Sequence, residues 1–320
     1  MVAKLTDVAK LAGVSPTTVS RVINKKGYLS EKTVRKVTQA MRELGYKPNN
    51  LARGLQGKSA KLVGLIFPTI SNIFYAELIE HLEKELFNRG YKAIVCNSQH
   101  DSAKEREYLE MLTANQVDGI ISGSHNLGIK DYDRVSAPII AFDRNLSPST
   151  PIVSSDNYGG GLLAAQTLQK AGCKQPMMIT GNDDSNSPTG LRQTGFSSVF
   201  PQADIYHISS DFSPVRKEME IRNILQTSRA DGIFISGDLT AMLVWNIAQS
   251  LGISIPKDLK LIGYDGTYFI ETHYPQLTTI KQPLADIARL MVDLLIQKIN
   301  GKILQQHYSL PITLLAGRSV

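Results

Sequence analysis

The chain has 320 residues, 42% of them hydrophobic and 20% charged, with a formal net charge of +6; that length exceeds one ordinary core and points to two or three folded units. No apolar run approaches the roughly 18 residues of a membrane span, and the opening "MVAKLTDVAK" lacks the apolar stretch of a secretory signal. The two cysteines, Cys96 and Cys173, stand in no CxxC or Cys/His cluster, so a membrane protein, a disulfide scaffold and a zinc module are set aside, and a cytoplasmic protein with two buried thiols is expected.

The charge is unevenly placed. Residues 1–60 hold 12 Lys/Arg against 3 Asp/Glu, a net of +9, and the remaining 260 hold 23 against 26, a net of −3. A small basic module that meets a polyanion, carried by a near-neutral body, is the physical reading.

Three helices fit the first 45 residues. "LTDVAKLAG" places Leu5, Val8, Ala9 and Leu11 on one face and stops at Gly13, whose missing Cβ suits a left-handed turn. Ser15 can cap the next helix and Pro16 fits its first position, where an amide hydrogen has no helical partner anyway. Ser30 starts the third, with Val34, Val37, Met41 and Leu44 expected inward and Gly45 ending it. Two short helices joined by a tight turn form a helix-turn-helix, whose second helix enters the DNA major groove.

That assignment explains the polar string "VSPTTVSRVIN". Val19, Val22 and Ile23 can pack while Pro16, Thr17, Ser20 and Arg21 face outward. Arg21 can donate two hydrogen bonds to guanine or grip phosphate, and Thr17 can present hydroxyl and methyl to base edges. Thr18 and Ser20 are read as phosphate contacts, which position without specifying. Thr6, Ser15 and Asn24 complete the DNA-facing set assigned to this head.

Next comes "YKPNNLARGLQGKSA". Pro48 ends the third helix and Asn49 can cap a short fourth, "NLARGL", which Gly54 and its shortness make marginal alone. Leu55, between Arg53 and Lys58, makes sense as a wedge into a base step, with Asn49, Ala52 and Arg53 beside it on the DNA. The expected division is a head over 1–47, a hinge over 48–60 and a two-lobed ligand-binding and dimerisation body over 61–320.

From residue 61 short apolar runs alternate with amphipathic helices. "KLVGLIFP", "YKAIVCNS", "DGIIS" and "PIIAFD" enclose helices near 75–89 and 103–116. "PMMITG", "DIYHIS", "DGIFISG" and "KLIGYDG" enclose helices at 189–200, 214–228 and 239–251. This is the pattern of parallel sheets covered on both faces. The echo of "DGIIS" in "DGIFIS" points to two similar α/β lobes with a cleft beyond the carboxyl ends of their strands.

The residues at those ends form a candidate site. Asp143 closes "IIAFD", Asp265 closes "LIGYD", and Arg192 stands on the helix after "NDDSNSPTG". Ser71, Asn72, Phe74 and Tyr75 follow the first strand, while Asp238 is read as a helix cap. Carboxylates and an arginine can each hold adjacent hydroxyls bidentately, and a ring can cover an apolar sugar face. HExxH, GxSxG, GxxxxGK[ST] and GxGxxG do not occur, so no enzyme, metal or cofactor is expected; "YGGGLLAAQ" reads as close helix packing as readily as phosphate binding.

The stretches "TDVAKLAGVSPTTVSRVIN", "GYKPNNLARGL", "VGLIFP", "AFDR", "GYDG", "LTTIKQP" and "LAGRS" resemble the lactose/galactose repressor family of bacterial transcription regulators. The later stretches look closest to its branch serving sucrose use in Gram-positive bacteria. The resemblance implies two doubly wound parallel-sheet lobes of periplasmic-binding-protein type and a homodimer on a two-fold operator, with Leu55 of both chains at the central step. It implies that Pro16, Thr17 and Arg21 read bases, although Pro16 has no side-chain donor. It also implies that Asp143, Arg192 and Asp265 hold sugar hydroxyls, that Gln282 and Leu284 line the cleft, and that Gly237 lacks an asparagine found in many relatives. The expected function is a repressor released from its operator by a small carbohydrate. A phosphorylated carrier protein as corepressor, or a sugar-binding protein or enzyme, are the alternatives.

Overall fold

The computed structural model describes residues 3–24, 26–47, 59–124, 130–181, 187–209 and 212–320. It contains two compact units, Met1–Ala60 and Lys61–Val320. Asn49, Ala52, Arg53 and Leu55 of the expected hinge lie outside the described residues.

The first unit holds α1 (Leu5–Ala12), α2 (Pro16–Ile23) and α3 (Glu31–Glu43). Gly13 ends α1 at φ 65°, the left-handed turn that glycine adopts without strain. Ser15 and Ser30 cap α2 and α3, accepting from the amides of Thr18 at 3.2 Å and Thr33 at 3.3 Å. The core is Val8, Ala9, Ala12, Val19, Val37 and Ala40. Three residues expected inward are not there: Leu11, Val34 and Leu44 are 50%, 37% and 36% exposed. Three short helices close over about one turn each, so apolar residues off that turn stay in water.

The second unit carries two six-stranded sheets. β1 (Leu62–Phe67), β2 (Lys92–Asn97), β3 (Gly119–Ser122), β4 (Ile139–Phe142), β5 (Ile152–Ser155) and β11 (His307–Leu310) form the first, in the order β11-β5-β4-β3-β1-β2. β6 (Pro176–Thr180), β7 (Asp204–His207), β8 (Gly232–Ile235), β9 (Lys260–Asp265), β10 (Thr278–Lys281) and β12 (Thr313–Leu315) form the second, in the order β12-β10-β9-β8-β6-β7. Every pairing is parallel except β10 with β12. The helices are α4 (Ile73–Asn88), α5 (Ser102–Ala114), α6 (Asn157–Lys170), α7 (Pro188–Ser197), α8 (Pro214–Thr227), α9 (Asp238–Ser250), α10 (Tyr268–His273) and α11 (Leu284–Ile299).

The lobes are interleaved rather than strictly consecutive. After β5 the chain crosses to the second lobe, after β10 it returns to the first, and between β11 and β12 it crosses again. α11 belongs to the first lobe because its apolar stripe, including Ile287, Met291, Val292 and Leu295, is buried there with Leu78, Leu82 and Leu86 of α4. Each such side chain contributes about 1.5–3 kcal/mol on burial. In the second lobe α6 and α7 meet backbone to backbone: a methyl on Gly161 would strike the Arg192 carbonyl, and one on Gly195 the Tyr158 carbonyl. Helix packing therefore accounts for glycines in "YGGGLLAAQ".

Candidate functional site: nucleic-acid interface and ligand cleft

On the head, Pro16, Thr17 and Arg21 are exposed along α2, and Thr6 is exposed on α1. Arg21 is held only loosely, its Nε donating to the Lys26 carbonyl at 3.4 Å with the guanidinium against Gly27. It can swing onto a base or phosphate at little cost. The other hydroxyls are already paired. Ser15 Oγ lies 2.9 Å from Thr18 Oγ1, and Asn24 Nδ2 donates to the Ser20 carbonyl at 2.6 Å and to Ser20 Oγ at 3.2 Å. Each hydroxyl keeps spare capacity for a phosphate oxygen, but these four residues first shape the helix. Tyr28, in the connection between α2 and α3, is 93% exposed and was not singled out from the sequence. A single aromatic in a loop carries no periodic signal.

In the body, the acids that end β4 and β9 adopt left-handed backbone, Asp143 at φ 61° and Asp265 at φ 120°. Such conformations cost of order 1–3 kcal/mol in a non-glycine residue and cluster at binding sites. Arg192, 5% exposed on α7, stacks its guanidinium carbon 3.6 Å over the Tyr264 ring and donates from Nη1 to the Ser236 carbonyl at 2.7 Å. Its Nε donates to Asn157 Oδ1 at 2.8 Å, and Asn157 Nδ2 donates to Asp143 Oδ1 at 2.9 Å. Asp265 accepts from Gln282 Nε2 at 2.9 Å, and Gln282 Oε1 accepts from Ser155 Oγ at 2.7 Å. Asp143, Arg192, Asp265 and Gln282 are thus joined across both lobes.

The remaining expected site residues divide by role. Tyr75 packs 5.8 Å from Phe67 and 5.3 Å from Phe74, ring to ring, and its phenol is pushed up by burial and then by Asp143, with Arg144, Asp265 and Arg192 also in range. It belongs to the cluster. Phe74 is 7% exposed, with its ring 5.8 Å from Phe142 in the first-lobe core, so it supports Tyr75. Leu284 is core as well. Asn72 caps α4 by accepting from the Phe74 amide at 2.9 Å, and Ser71 is exposed with its Oγ 2.8 Å from Thr69 Oγ1. Gln282, 2% exposed with both ends of its amide engaged, holds Asp265 in place. Asp238 is not the cap expected. Gly237 occupies that position, and the Asp238 carboxylate instead accepts from the Gly266 amide and Thr279 Oγ1, both at 2.7 Å, tying α9 to the strand ends.

Burial sets the electrostatics. It raises the Asp143 carboxyl against the opposing pull of Arg192, Asn157 and Arg144. It raises Asp265 to about 7 although Arg192 and Gln282 favour the anion. Asp238 is pushed well up by burial and by its neighbour Asp265. Burial alone would lower Arg192, but Tyr264, Asp265 and Asp143 together carry it upward. Acids and a cation held in a dry site, each oriented by a neutral partner, suit a ligand with many hydroxyls. Asn157 and Ser155 stand in no quoted motif, and Arg144 and Tyr264 lie within "AFDR" and "GYDG" with no role that the motifs assign them. Asn157 had a faint signal in "SSDN", a polar cluster between a strand and a helix.

Gly237 fits the same picture. Its φ of −167° suits any residue, and an added Cβ would meet only Asp265 Oδ2, at 3.8 Å. Neither backbone nor packing demands glycine there, so a side-chain Cβ would have room.

Comparison with known proteins places this architecture. Residues 4–49 match the model of bacterial regulatory proteins of the lacI family, and residues 165–320 match the periplasmic binding protein-like domain. A sucrose operon repressor of Streptococcus mutans is 68% identical over the full length of both chains. A LacI transcriptional regulator of Alkaliphilus metalliredigens, complexed with D-xylulofuranose, superposes with a TM-score of 0.72 over 81% of this chain and 98% of its own, at 31% identity. The lac repressor dimer bound to operator and the anti-inducer ONPF shares the fold with a TM-score of 0.87 over 100% and 99% of the two chains, at 24% identity. Head, sheets and full-length relatives agree with the motifs: the chain belongs to the lacI family of bacterial regulatory proteins.

Proposed function

We propose that this ligand-responsive transcriptional repressor controls genes of sucrose utilisation, gripping a two-fold operator as a cytoplasmic homodimer and releasing it when sucrose or a related sugar fills the cleft. Full-length likeness to a sucrose operon repressor at 68% identity carries the reading. The furanose bound by the Alkaliphilus relative supports it, because the fructosyl half of sucrose is also a furanose. Asp143, Arg192 and Asp265 are the polyol-holding set, Tyr75 the ring beside them, and Thr6, Ser15 to Thr18, Ser20, Arg21 and Asn24 the DNA-facing set. Exposed Phe87 and Val95 on the first lobe and Val215 and Met219 on the second supply apolar surface for a partner subunit.

Release works by linkage. A sugar shifts the operator equilibrium only by its preference for the arrangement of lobes that disfavours DNA. Residues 48–60, with Leu55 as wedge and Asn49, Ala52 and Arg53 on the backbone, are the segment through which lobe rotation reaches the head. The test pairs thermal denaturation with an operator gel shift over a panel of sucrose, fructose, glucose and their phosphates. The sugar that raises the melting temperature is expected to release operator. A panel that neither stabilises the protein nor frees operator defeats the proposal.

A further inference from the structure

Asn157 is 3% exposed and sits at the first position of α6, where the chain leaves one lobe for the other. Every hydrogen-bonding direction of its amide is spoken for. Nδ2 donates to Asp143 Oδ1 at 2.9 Å and to the Ser155 carbonyl at 3.2 Å, while Oδ1 accepts from Arg192 Nε at 2.8 Å and from the Tyr264 hydroxyl at 3.4 Å. The donor end faces an acid of the first lobe and the acceptor end a guanidinium of the second.

An acid and a guanidinium buried together have a strong tendency to pair directly, because the bidentate ion pair is the strongest contact open to either. Asp143 and Arg192 do not pair; the amide stands between them. Alanine there would leave nothing to separate the two charges. An ionised carboxylate would set a second anion against Asp143 and remove the donor. Only a neutral group with a donor at one end and an acceptor at the other satisfies both neighbours.

We infer that Asn157 is a spacer: it keeps Asp143 and Arg192 from neutralising each other, so that both stay oriented for the hydroxyls of one ligand while being tied across the lobe junction. This positioning role rests on the sugar-binding reading above, and Asn157 itself touches no ligand. The carboxylic acid of Asn157→Asp, when protonated, keeps one donor for Asp143 and an acceptor for Arg192, giving up only the longer bond to the Ser155 carbonyl; when ionised it has no donor at all. Its sucrose affinity, measured by calorimetry on the full chain, is therefore expected within about 3-fold of the parent near pH 5 and at least about 10-fold weaker near pH 8. Asn157→Ala is expected to lose at least about 10-fold at both pH values. A folded Asn157→Asp variant whose affinity relative to the parent is the same at both pH values overturns the spacer.

A crystal structure of the parent with sucrose makes the test independent of how the variants fold. Asn157 should bridge Asp143 and Arg192 while the sugar contacts both of those residues. A sugar atom within hydrogen-bond distance of Asn157, or Asp143 paired directly with Arg192, would falsify the inference. A parent protein that binds none of sucrose, fructose or glucose brings down the sugar reading, and the spacer with it.

Discussion

Arg21 and Asp265 show how one side chain's surroundings decide what it can do. Arg21 is exposed on α2 and restrained by one long hydrogen bond, so little is lost when it moves to DNA. A bidentate contact to guanine discriminates by about 1–3 kcal/mol. Arg21→Ala should therefore reduce the ratio of operator to random-DNA affinity at least about 10-fold at fixed salt, and an unchanged ratio in a competition gel shift refutes the assignment. Asp265 is constrained the other way. Its carboxyl, raised to about 7 by burial, stays protonated in the folded state over a range where the unfolded chain, near 3.8, has already lost its proton. The stability this contributes is fully present below the unfolded value and is lost as pH rises through about 7. The sugar-free protein should melt at a lower temperature near pH 8 than near pH 5, and Asp265→Asn should flatten that dependence while abolishing sugar binding. A variant melting profile as steep as the parent's removes Asp265 from the explanation.

Two elements matter at this scale, one at the cleft and one proposed to act at the DNA. The α6–α7 pair is close because Gly161 and Gly195 let backbone meet backbone, which brings Arg192 on α7 beside Asn157 on α6. Overpacking of this kind costs typically 1–3 kcal/mol. Gly195→Ala should accordingly lower unfolding stability by about 2 kcal/mol in urea titration and weaken sugar binding with it; a stable variant with intact sugar affinity shows that the contact can yield. The hinge segment is the second element. Leu55 between Arg53 and Lys58 is read as a base-step wedge, so Leu55→Ala should weaken operator binding by about 1–3 kcal/mol and leave sugar affinity untouched. Equal operator affinity in parent and variant would remove the wedge.

Across the whole molecule the charge asymmetry separates two modes of DNA binding. On the proposed reading, the net of +9 in residues 1–60 supplies attraction that is blind to sequence and steep in salt, whereas α2 and the segment 48–60 supply preference. Saturating sucrose should therefore lower operator affinity to the level of random DNA while leaving a residual affinity that falls steeply between 50 and 200 mM salt. Operator preference that persists in saturating sugar separates the cleft from the head and ends the model of coupled lobes.

Local order was legible in the chain because its signals are local. Gly13, the Ser15 cap and Pro16 mark the head, and apolar runs ending in Asp143 and Asp265 mark strands and the acids beyond them, since caps, turns and periodicity act over a few residues. The helix opened after "NDDSNSPTG" placed Arg192 on the same basis. What no spacing displays is a contact between distant segments. That Gln282 hydrogen-bonds Asp265, that Asp238 ties strand ends instead of capping α9, and that Asn157 hydrogen-bonds both Asp143 and Arg192 all depend on which distant segments the fold brings together. A buried polar group takes whichever partner the fold delivers, because leaving it unpaired costs more than any local preference returns.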